Sequence, residues 1–288
     1  MARVSSLLSL AAALVALASG RAEAGDTDKG VQRMVAFGGA CRGCSLAGRK
    51  LTGATFTAGD FSNASLIDTD LRGASLIATT FAGADFTRAD LRSASLLGVN
   101  FSNAVFIDTR MDGVEGAAPN FSGANMKRAH LSSVQLVGAN FSHATLTNAV
   151  LANADLEAAF LVDADCNGAD FRSAELTGAH LIRGRFEDAS FQNATLDGAD
   201  LTGSQFGRAD FHGASLDGTR LFGADLSTAR GLEQDQVDDT CGDAATRLPA
   251  GLTARICRGP GLILPFHGHP APHAPPAPPA PPRHFVGG

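Results

Sequence analysis

Residues 199–203 read Ala-Asp-Leu-Thr-Gly and residues 84–88 read Ala-Asp-Phe-Thr-Arg, and both are units of one five-residue pattern. Every fifth residue from 46 to 226 is a central position, and 33 of these 37 positions hold Leu or Phe. The residue two places before the centre is Ala in 24 units, and the residue two places after it is Gly, Asn or Asp in 24. The exceptions at the centre are Met111, Gly116, Met126 and Cys166. This unbroken register identifies a repeat architecture.

A period of five excludes an α-helix and indicates short strands joined by corners. Each helical residue turns about 100°, so centres five apart would never form one apolar face. In a strand, the small residue and the centre share one face. Because five is odd, a straight strand would turn the next centre outward, so the chain must bend once per unit. Gly, Asn and Asp tolerate the tight-turn conformations that such corners need.

The pattern resembles the pentapeptide-repeat family of the secreted bacterial type, whose units read Ala-(Asp/Asn)-(Leu/Phe)-x-x. The resemblance covers about 180 residues and implies an all-β fold, a right-handed quadrilateral β-helix with four units, or 20 residues, per coil. Residues 20 apart would then stack, and a short cap, which could contain a helix, would close the C-terminal end. Two stacked ladders of rings are expected: Phe61, Phe81, Phe101, Phe121 and Phe141 on one side, and Phe171, Phe191 and Phe211 on another.

The chain divides into five predicted segments. Residues 1–24 resemble a signal peptide, with a positive charge at Arg3 and an apolar stretch at 7–18. A small-x-small site at their end predicts cleavage between Ala24 and Gly25. The apolar stretch is too short to span a bilayer comfortably, and no later stretch resembles a membrane span. The other segments are an N-terminal lead-in and cap (25–45), the β-helix (46–228), a C-terminal cap (229–258) and a disordered Pro/His-rich tail (259–288).

Two departures from the regular pattern carry structural expectations. Around Gly116 and Pro119 we expect a locally distorted coil or an exposed loop, because Gly and Pro weaken a strand. After the last repeat, residues 232–239 could form a short helix within the cap. A solenoid needs such a cap, because its last coil otherwise exposes apolar side chains and unpaired strand edges.

The five cysteines predict disulfides rather than a metal site. Cys41 and Cys44 precede the repeat, and Cys241 and Cys257 follow it, so about 40 Å of stacked coils would separate the pairs. Zinc ligands need bonds of about 2.3 Å, which excludes a four-cysteine site. The export signal indicates an oxidising compartment and favours a Cys241–Cys257 disulfide. For Cys41 and Cys44 a disulfide remains one of two alternatives, since a two-residue spacer is strained unless the backbone suits it. Cys166 is expected to be a buried thiol.

No catalytic, cofactor or metal site is predicted. The repeat histidines, His130, His143, His180 and His212, should face solvent without forming a cluster. An enzyme would need a paired base and nucleophile or clustered ligands. Asp70, Asp90, Asp170 and Asp210 form one acidic ladder, but Arg72, Arg92 and Arg172 lie on the same outward side, so this ladder is mixed. Lys127 and Arg128 are too few for a nucleic-acid patch.

These features predict an exported, non-enzymatic scaffold, periplasmic or secreted, that binds a protein or cell-envelope partner through its lateral faces. No nucleic-acid partner is expected, nor an integral membrane segment after signal cleavage, and homodimerisation through an end of the solenoid stays open. One alternative is a DNA mimic that inhibits a topoisomerase such as gyrase, as in a branch of the family. Another is a structural spacer that displays the Pro/His tail.

Overall fold

A computed structural model describes residues 39–257 of the 288-residue chain. The signal peptide, the cleavage site between Ala24 and Gly25, most of the lead-in and the Pro/His-rich tail lie outside the described residues. What the sequence indicates about these segments therefore stays a prediction. The described residues contain the whole repeat region and the C-terminal cap.

The regular elements are short. Strands β1 (Thr55–Thr57), β2 (Ser75–Ile77), β3 (Ser95–Leu97) and β4 (Glu115–Ala117) form one parallel sheet in sequence order. In the cap, helix α1 (Gln234–Val237) precedes the parallel pair β5 (Cys241–Gly242) and β6 (Arg255–Ile256). Each strand of the larger sheet pairs with residues 20 positions later, as Phe56 does with Leu76.

Single parallel bridges continue this 20-residue register around the rest of each coil. Three bridges join one coil to the next at residues between the strands: Asp60 to Thr80, Ser65 to Asp85, and Asp70 to Asp90. Together with the strands they make four sides per coil, which confirms the predicted right-handed quadrilateral β-helix. We number the sides by their inward residues. Face 1 contains 61, 81 and their equivalents, face 2 contains 66 and 86, face 3 contains 71 and 91, and face 4 contains 56 and 76.

The corners force the backbone into the left-handed region once per unit. Every fifth residue from 48 to 223 has a positive φ, whatever its side chain. Gly occupies many of these positions, but Ala158, Arg88 and Ser93 adopt the same conformation, with φ between 53° and 57°. Isolated residues of these types disfavour it. The stacked coils therefore impose the corner, and the glycine preference seen in the sequence only lowers its cost.

The interior is a close-packed stack of inward side chains. The central residues from Leu51 to Leu226 are at most 5 % exposed, apart from Gly116. The alanines two places before the centres are also buried and fill the space between neighbouring sides of the coil. The predicted phenylalanine ladders stack at centroid distances of 5.0 to 5.6 Å. Face 2 adds two ladders that we did not predict, Phe86–Phe106 at 4.9 Å and Phe186–Phe206 at 5.0 Å. Their rings contact neighbouring ladders edge to face, a favourable aromatic arrangement.

Buried hydroxyl groups replace alanine at several of the positions two places before a centre, and the hydroxyls of Thr69 and Thr109 are both hydrogen-bonded. Thr69 donates its hydroxyl hydrogen to the carbonyl of Leu46 at 3.0 Å, and Thr109 donates to the carbonyl of Phe86 at 2.7 Å. Each acceptor is an inward residue of the preceding coil. A hydroxyl at this position is therefore compatible with complete burial, because its hydrogen bond offsets the loss of water.

The passage around Gly116 is not the distorted coil or exposed loop that we expected. β4 contains Gly116 and pairs in register with β3, and the Gly116 N–H donates to the Gln135 carbonyl at 2.8 Å. A Cβ added at Gly116 would lie 2.5 Å from the carbonyl oxygen of Leu96 and 3.3 Å from the Leu136 side chain. The expectation was wrong because the coil stays regular here by bringing its backbone close to its neighbours, and only glycine leaves room for that approach.

Pro119 lies two places before a centre, and it fits there because the backbone makes no use of the missing N–H group at this position of the coil. On later coils, the residue three places after the centre of face 4 donates its N–H to the carbonyl of that centre, as Ala139 does to Leu136 at 3.0 Å. Within the described residues, the equivalent positions 59, 79 and 99 lack this hydrogen bond. The Pro119 carbonyl still accepts a hydrogen bond from the Asn140 N–H at 3.0 Å. Proline therefore removes no backbone hydrogen bond at this position.

The C-terminal cap is held to the last coil by side-chain hydrogen bonds to its carbonyl groups. The Gln236 side chain donates to the carbonyls of Phe211 and Ala214 at 3.0 and 2.7 Å, and Val237 is fully buried. The Thr246 hydroxyl donates to the Leu221 carbonyl at 2.7 Å. Helix α1 lies within the segment in which a short helix was expected, and the cap ends the apolar core as a solenoid requires.

We predict that Leu156→Asp unfolds the solenoid, since Leu156 is completely buried between neighbouring coils. An unpaired buried carboxylate and the lost packing should together cost more than about 4 kcal/mol. Leu97→Asp is the matched control, because Leu97 is 53 % exposed. Circular dichroism melting should show a large loss only for Leu156→Asp. Equal melting temperatures for the two variants would contradict the assignment of inward and outward positions.

We also predict that Gly116→Ala destabilises the fold, although it restores part of an inward side chain. The added Cβ would overlap the Leu96 carbonyl oxygen. Such overpacking should cost about 1–3 kcal/mol. Gly39→Ala is the control, since no atom of the described residues 39–257 lies within 4 Å of its added Cβ. Urea denaturation compares the two, and a more stable Gly116→Ala variant would show that Gly116 is a packing defect.

Candidate functional site

The outer faces are the part of the solenoid that is available for function. In each unit, the residues on either side of the inward residue point outward, and the residue after them forms the corner. The inward residues fill the interior, so a ligand has no path along it. A depression of about 650 Å³ on face 3 is lined by Arg72, Arg92 and Asp112, among others. Both arginines already pair with aspartates, which leaves no free anion site there.

The structure places both predicted cysteine pairs in disulfide bonds. Cys41–Cys44 lies against the first coil and Cys241–Cys257 ties β5 to the end of the cap, each with a Cα–Cα distance of 5.4 Å. Cys166 is a free thiol on the inward side of face 2 and is completely buried. Burial raises the pKa of this thiol, so it remains protonated and unreactive.

The repeat histidines do not form a catalytic or metal-binding group. His212 contacts Asp210 at 2.5 Å on face 3, and His143 lies 3.9 Å from Asp163 at a corner of face 1. His180 instead stacks on Phe160. Residues 39–257 hold no cluster of three or more potential metal ligands. The same residues include no helix with the length and apolarity needed to cross a membrane.

Face 3 carries the mixed ladder predicted from the sequence. Arg72 pairs with Asp70 at 2.7 Å, and Arg92 pairs with Asp90 at 2.6 Å. Arg172 forms the same two-residue pair with Asp170 at 2.6 Å. The hydrogen bond from Arg72 lowers the pKa of Asp70 to about 2. Each carboxylate of these pairs is therefore neutralised by an arginine of its own unit.

Corner residues on faces 1 and 2 form a second kind of ion pair, between consecutive coils. Arg88 reaches Asp68 of the previous coil at 2.7 Å, and Arg128 reaches Asp108 at 2.7 Å. Two further corner pairs follow the same 20-residue spacing: Arg183 with Asp163, and Arg208 with Asp188. In each of the four pairs the arginine lowers the pKa of the aspartate by hydrogen bonding.

Face 1 is mainly polar, with one aromatic exception. Asn120 donates from its side-chain amide to the Asn100 side-chain oxygen at 3.2 Å, continuing a column of asparagines. Further along the same column, the Phe160 ring is 42 % exposed and stacks on His180 with a centroid distance of 4.9 Å. The nearby Val162 and Ile182 are half-buried, so this part of face 1 is a small apolar patch.

Face 4 differs from the other three because its outward and corner positions carry no lysine or arginine from residue 55 to residue 218. The same positions carry six acidic residues: Glu115, Asp155, Glu157, Glu175, Asp197 and Asp217. None of the ion pairs found within residues 39–257 involves these six side chains. Face 4 therefore has an uncompensated negative charge.

Three carboxylates of face 4, those of Asp155, Glu175 and Asp197, accept hydrogen bonds from neutral donors instead. The Thr177 N–H and hydroxyl donate to Glu175, the N–H at 3.2 Å. The Asp217 N–H donates to Asp197 of the previous coil at 3.1 Å. Hydrogen bonds to backbone and hydroxyl groups orient a carboxylate without cancelling its charge. The face thus presents fixed negative charge to solvent.

Sequence reasoning missed face 4. We tested only one ladder for charge, the column that contains Asp70 and Asp90, and found it mixed. Sorting all acidic and basic residues by their position within a 20-residue coil would have revealed the difference. That sorting needs four units per coil, a number that the five-residue period alone does not give but that the family resemblance implies.

We predict that the solenoid loses stability between pH 4 and pH 2. Hydrogen bonds from Ser62 and Arg42 lower the pKa of Asp60 to about 2, and Arg72 does the same for Asp70. A folded-state pKa below the unfolded value, 3.8, stabilises the fold above that pH and loses this contribution as pH falls towards 2. Asp70→Asn should lower the melting temperature at pH 6 and match the wild type near pH 2. A pH-independent difference would contradict the assignment.

Two family models match the repeat region. The model described as Pentapeptide repeat region matches residues 124–201, and the model described as Pentapeptide repeats (8 copies) matches 41–76, 69–106, 84–115 and 189–227. Together they cover residues 41–115 and 124–227, more than half of the chain. The gap between them, residues 116–123, contains Gly116 and Pro119. No curated protein matches the chain.

Several solved structures are similar to this chain. HetL from Nostoc sp. strain PCC 7120, involved in heterocyst differentiation regulation, is 27% identical over 71% of this chain and 85% of its own, with a TM-score of 0.26. A pentapeptide repeat protein from the Arabidopsis thaliana thylakoid lumen is 28% identical over 40% and 72%, with a TM-score of 0.30. QnrB1, a plasmid-mediated fluoroquinolone resistance protein, is 18% identical over 65% and 92%, with a TM-score of 0.39.

All three TM-scores are below 0.5. The family assignment depends on the matched models and on the 20-residue coil register described above. On both grounds, this chain belongs to the pentapeptide-repeat family.

Proposed function

We propose that this protein is an exported, non-enzymatic scaffold that binds a protein or cell-envelope partner through its outer faces. The observation that carries the proposal is face 4, whose six carboxylates form no ion pair within residues 39–257, while arginines pair with aspartates on the other faces. Unpaired charge on one side of a rigid scaffold favours a partner of opposite charge. Solenoids commonly bind through such long lateral surfaces.

Export is supported by the disulfide bonds as well as by the N-terminal sequence. The two bonds hold the first described coil and the C-terminal cap, and the one remaining cysteine is buried in the core. Disulfides of this structural kind persist in oxidising compartments and are rare in reducing ones. A periplasmic or secreted location therefore agrees with the cysteine usage.

An intracellular DNA mimic that inhibits a topoisomerase is the second candidate, and the acidic residues of face 4 favour it. The other faces oppose it, because most of their aspartates are paired with arginines and these faces therefore present no continuous negative surface. A DNA mimic would also need to act in the cytoplasm, where disulfides are rare. A supercoiling assay with purified gyrase distinguishes this candidate, since the exported scaffold should leave the enzyme uninhibited.

We predict that the protein recovered from fractionated source cells begins at Gly25 and lies outside the cytoplasm. Intact mass spectrometry with thiol labelling should find one free thiol, Cys166, that reacts only after denaturation, because Cys166 is completely buried. Reduction should release four more thiols. A full-length cytoplasmic chain with five reactive thiols would contradict export and favour the second candidate.

Binding through an outer face is tested by placing a photo-crosslinking residue on each face in turn. Suitable positions are Ser122 on face 1, Thr147 on face 2, Ser132 on face 3 and Val137 on face 4. We expect a crosslinked partner in source cells from at least one position and none from an inward position such as Leu146. Absence of a crosslink from all four faces would contradict the scaffold proposal.

A further inference from the structure

Face 4 has two chemically different halves along the solenoid. In the first half, one outward column carries Ile77, Leu97, Ala117 and Val137 in consecutive coils. Leu97 is 53 % exposed and Val137 is 43 % exposed, and they are two of only four large apolar side chains that are so exposed within residues 39–257. In the second half, the same column carries Glu157, Thr177, Asp197 and Asp217. The change from apolar to acidic occurs between residues 137 and 157.

The dimensions of each half suit a short protein segment. Coils are about 4.8 Å apart, so the apolar and acidic columns each extend about 14 Å over three steps. The apolar half includes β2, β3 and β4, three strands of the solenoid's continuous sheet. Its corners hold only Gly and Ala, at Ala78, Gly98, Ala118 and Gly138. No bulky corner side chain therefore separates a partner from the apolar column.

The negative charge of face 4 disfavours both a second copy of this face and a nucleic acid as its binding partner. A second copy of face 4 would bring carboxylates against carboxylates, or cover Leu97 and Val137 with carboxylates in the opposite orientation. Both arrangements bury negative charge without a cation, which is unfavourable. A nucleic acid would be repelled by the acidic half. The complementary occupant carries positive charge beside apolar side chains.

We propose that face 4 is the docking surface for a protein segment in which a run of apolar side chains adjoins a cluster of lysines or arginines. The apolar run covers Leu97 and Val137, and the basic cluster pairs with Glu157, Glu175 and Asp197. The Glu175 and Asp197 carboxylates are already oriented by hydrogen bonds and can accept charge-assisted ones from the basic cluster. This inference rests on the proposed scaffold function and names the face and the chemistry of the partner.

The probe is a fluorescent peptide of alternating leucine and serine followed by six lysines, and hexalysine alone is the comparison peptide. Fluorescence anisotropy measures binding of both peptides to the purified, disulfide-bonded protein. The longer peptide should bind at least about fivefold more tightly than hexalysine, because it can also cover the apolar half. Leu97→Ser with Val137→Ser should remove this difference and leave hexalysine binding unchanged.

The acidic half is tested by Glu157→Gln, Glu175→Gln, Asp197→Asn and Asp217→Asn together. The matched control is Asp68→Asn, Asp108→Asn, Asp163→Asn and Asp188→Asn, which removes the same four charges from corners with φ between 54° and 57°. Asparagine tolerates that conformation as aspartate does. Binding of both peptides should fall at least about tenfold for the face 4 variant and less than about threefold for the control.

Equal losses in the two variants would overturn the proposal, because they would show that net charge alone attracts the peptides. Failure of the longer peptide to exceed hexalysine would overturn the apolar half of the proposal. A native circular dichroism spectrum at the assay temperature verifies that each variant remains folded, although the control variant should melt lower than the wild type because it loses four ion pairs. Photo-crosslinks found only from faces 1, 2 or 3 would contradict docking on face 4 and leave the scaffold function intact, whereas absence of crosslinks from all faces would contradict the scaffold function itself.

Discussion

The hydrogen bonds between consecutive coils are the interaction on which the rest of this structure depends. Each inward residue donates its N–H to the carbonyl of an outward residue in the next coil, as Leu66 does to Asp85 at 2.7 Å. That outward residue donates back, as Asp85 does to Ala64 at 2.9 Å. Because these bonds repeat on all four sides, every residue is held at the same place in the coil as the residues 20 positions before and after it. An insertion of one residue would turn the following apolar side chains outward.

This register explains why the outer surface is divided into faces with separate chemistry. A corner arginine meets the aspartate 20 residues earlier, as Arg128 meets Asp108, and charge is neutralised between coils. On face 4 the stacked positions contain carboxylates and no basic residue, so the same geometry accumulates charge. The charge and polarity of each face are therefore determined by the residues that lie 20 positions apart in the sequence. A functional surface can arise on one face while the core remains unchanged.

Much of the fold could be predicted from the five-residue period, but several features depend on distances that a sequence does not contain. The inward positions, the Phe61 and Phe171 ladders and the short cap helix all follow from periodicity and the family resemblance. Gly116 was misjudged because its necessity depends on the close approach of the Leu96 carbonyl. The candidate site was missed because its acidic residues, from Glu115 to Asp217, are spread over about 100 residues and form one surface only when all columns of the coil are compared, whereas only the column of Asp70 and Asp90 was compared.

Distances between spin labels along face 4 test the central claim that its outward residues form one straight column. Labels at Thr57→Cys and Thr177→Cys are six coils apart, and labels at Thr57→Cys and Asp217→Cys are eight coils apart. Double electron–electron resonance should give about 29 Å and about 38 Å between the Cα positions, a difference of about 10 Å for two coils. Distances that fail to increase by this amount would contradict the 20-residue coil and the face that it creates.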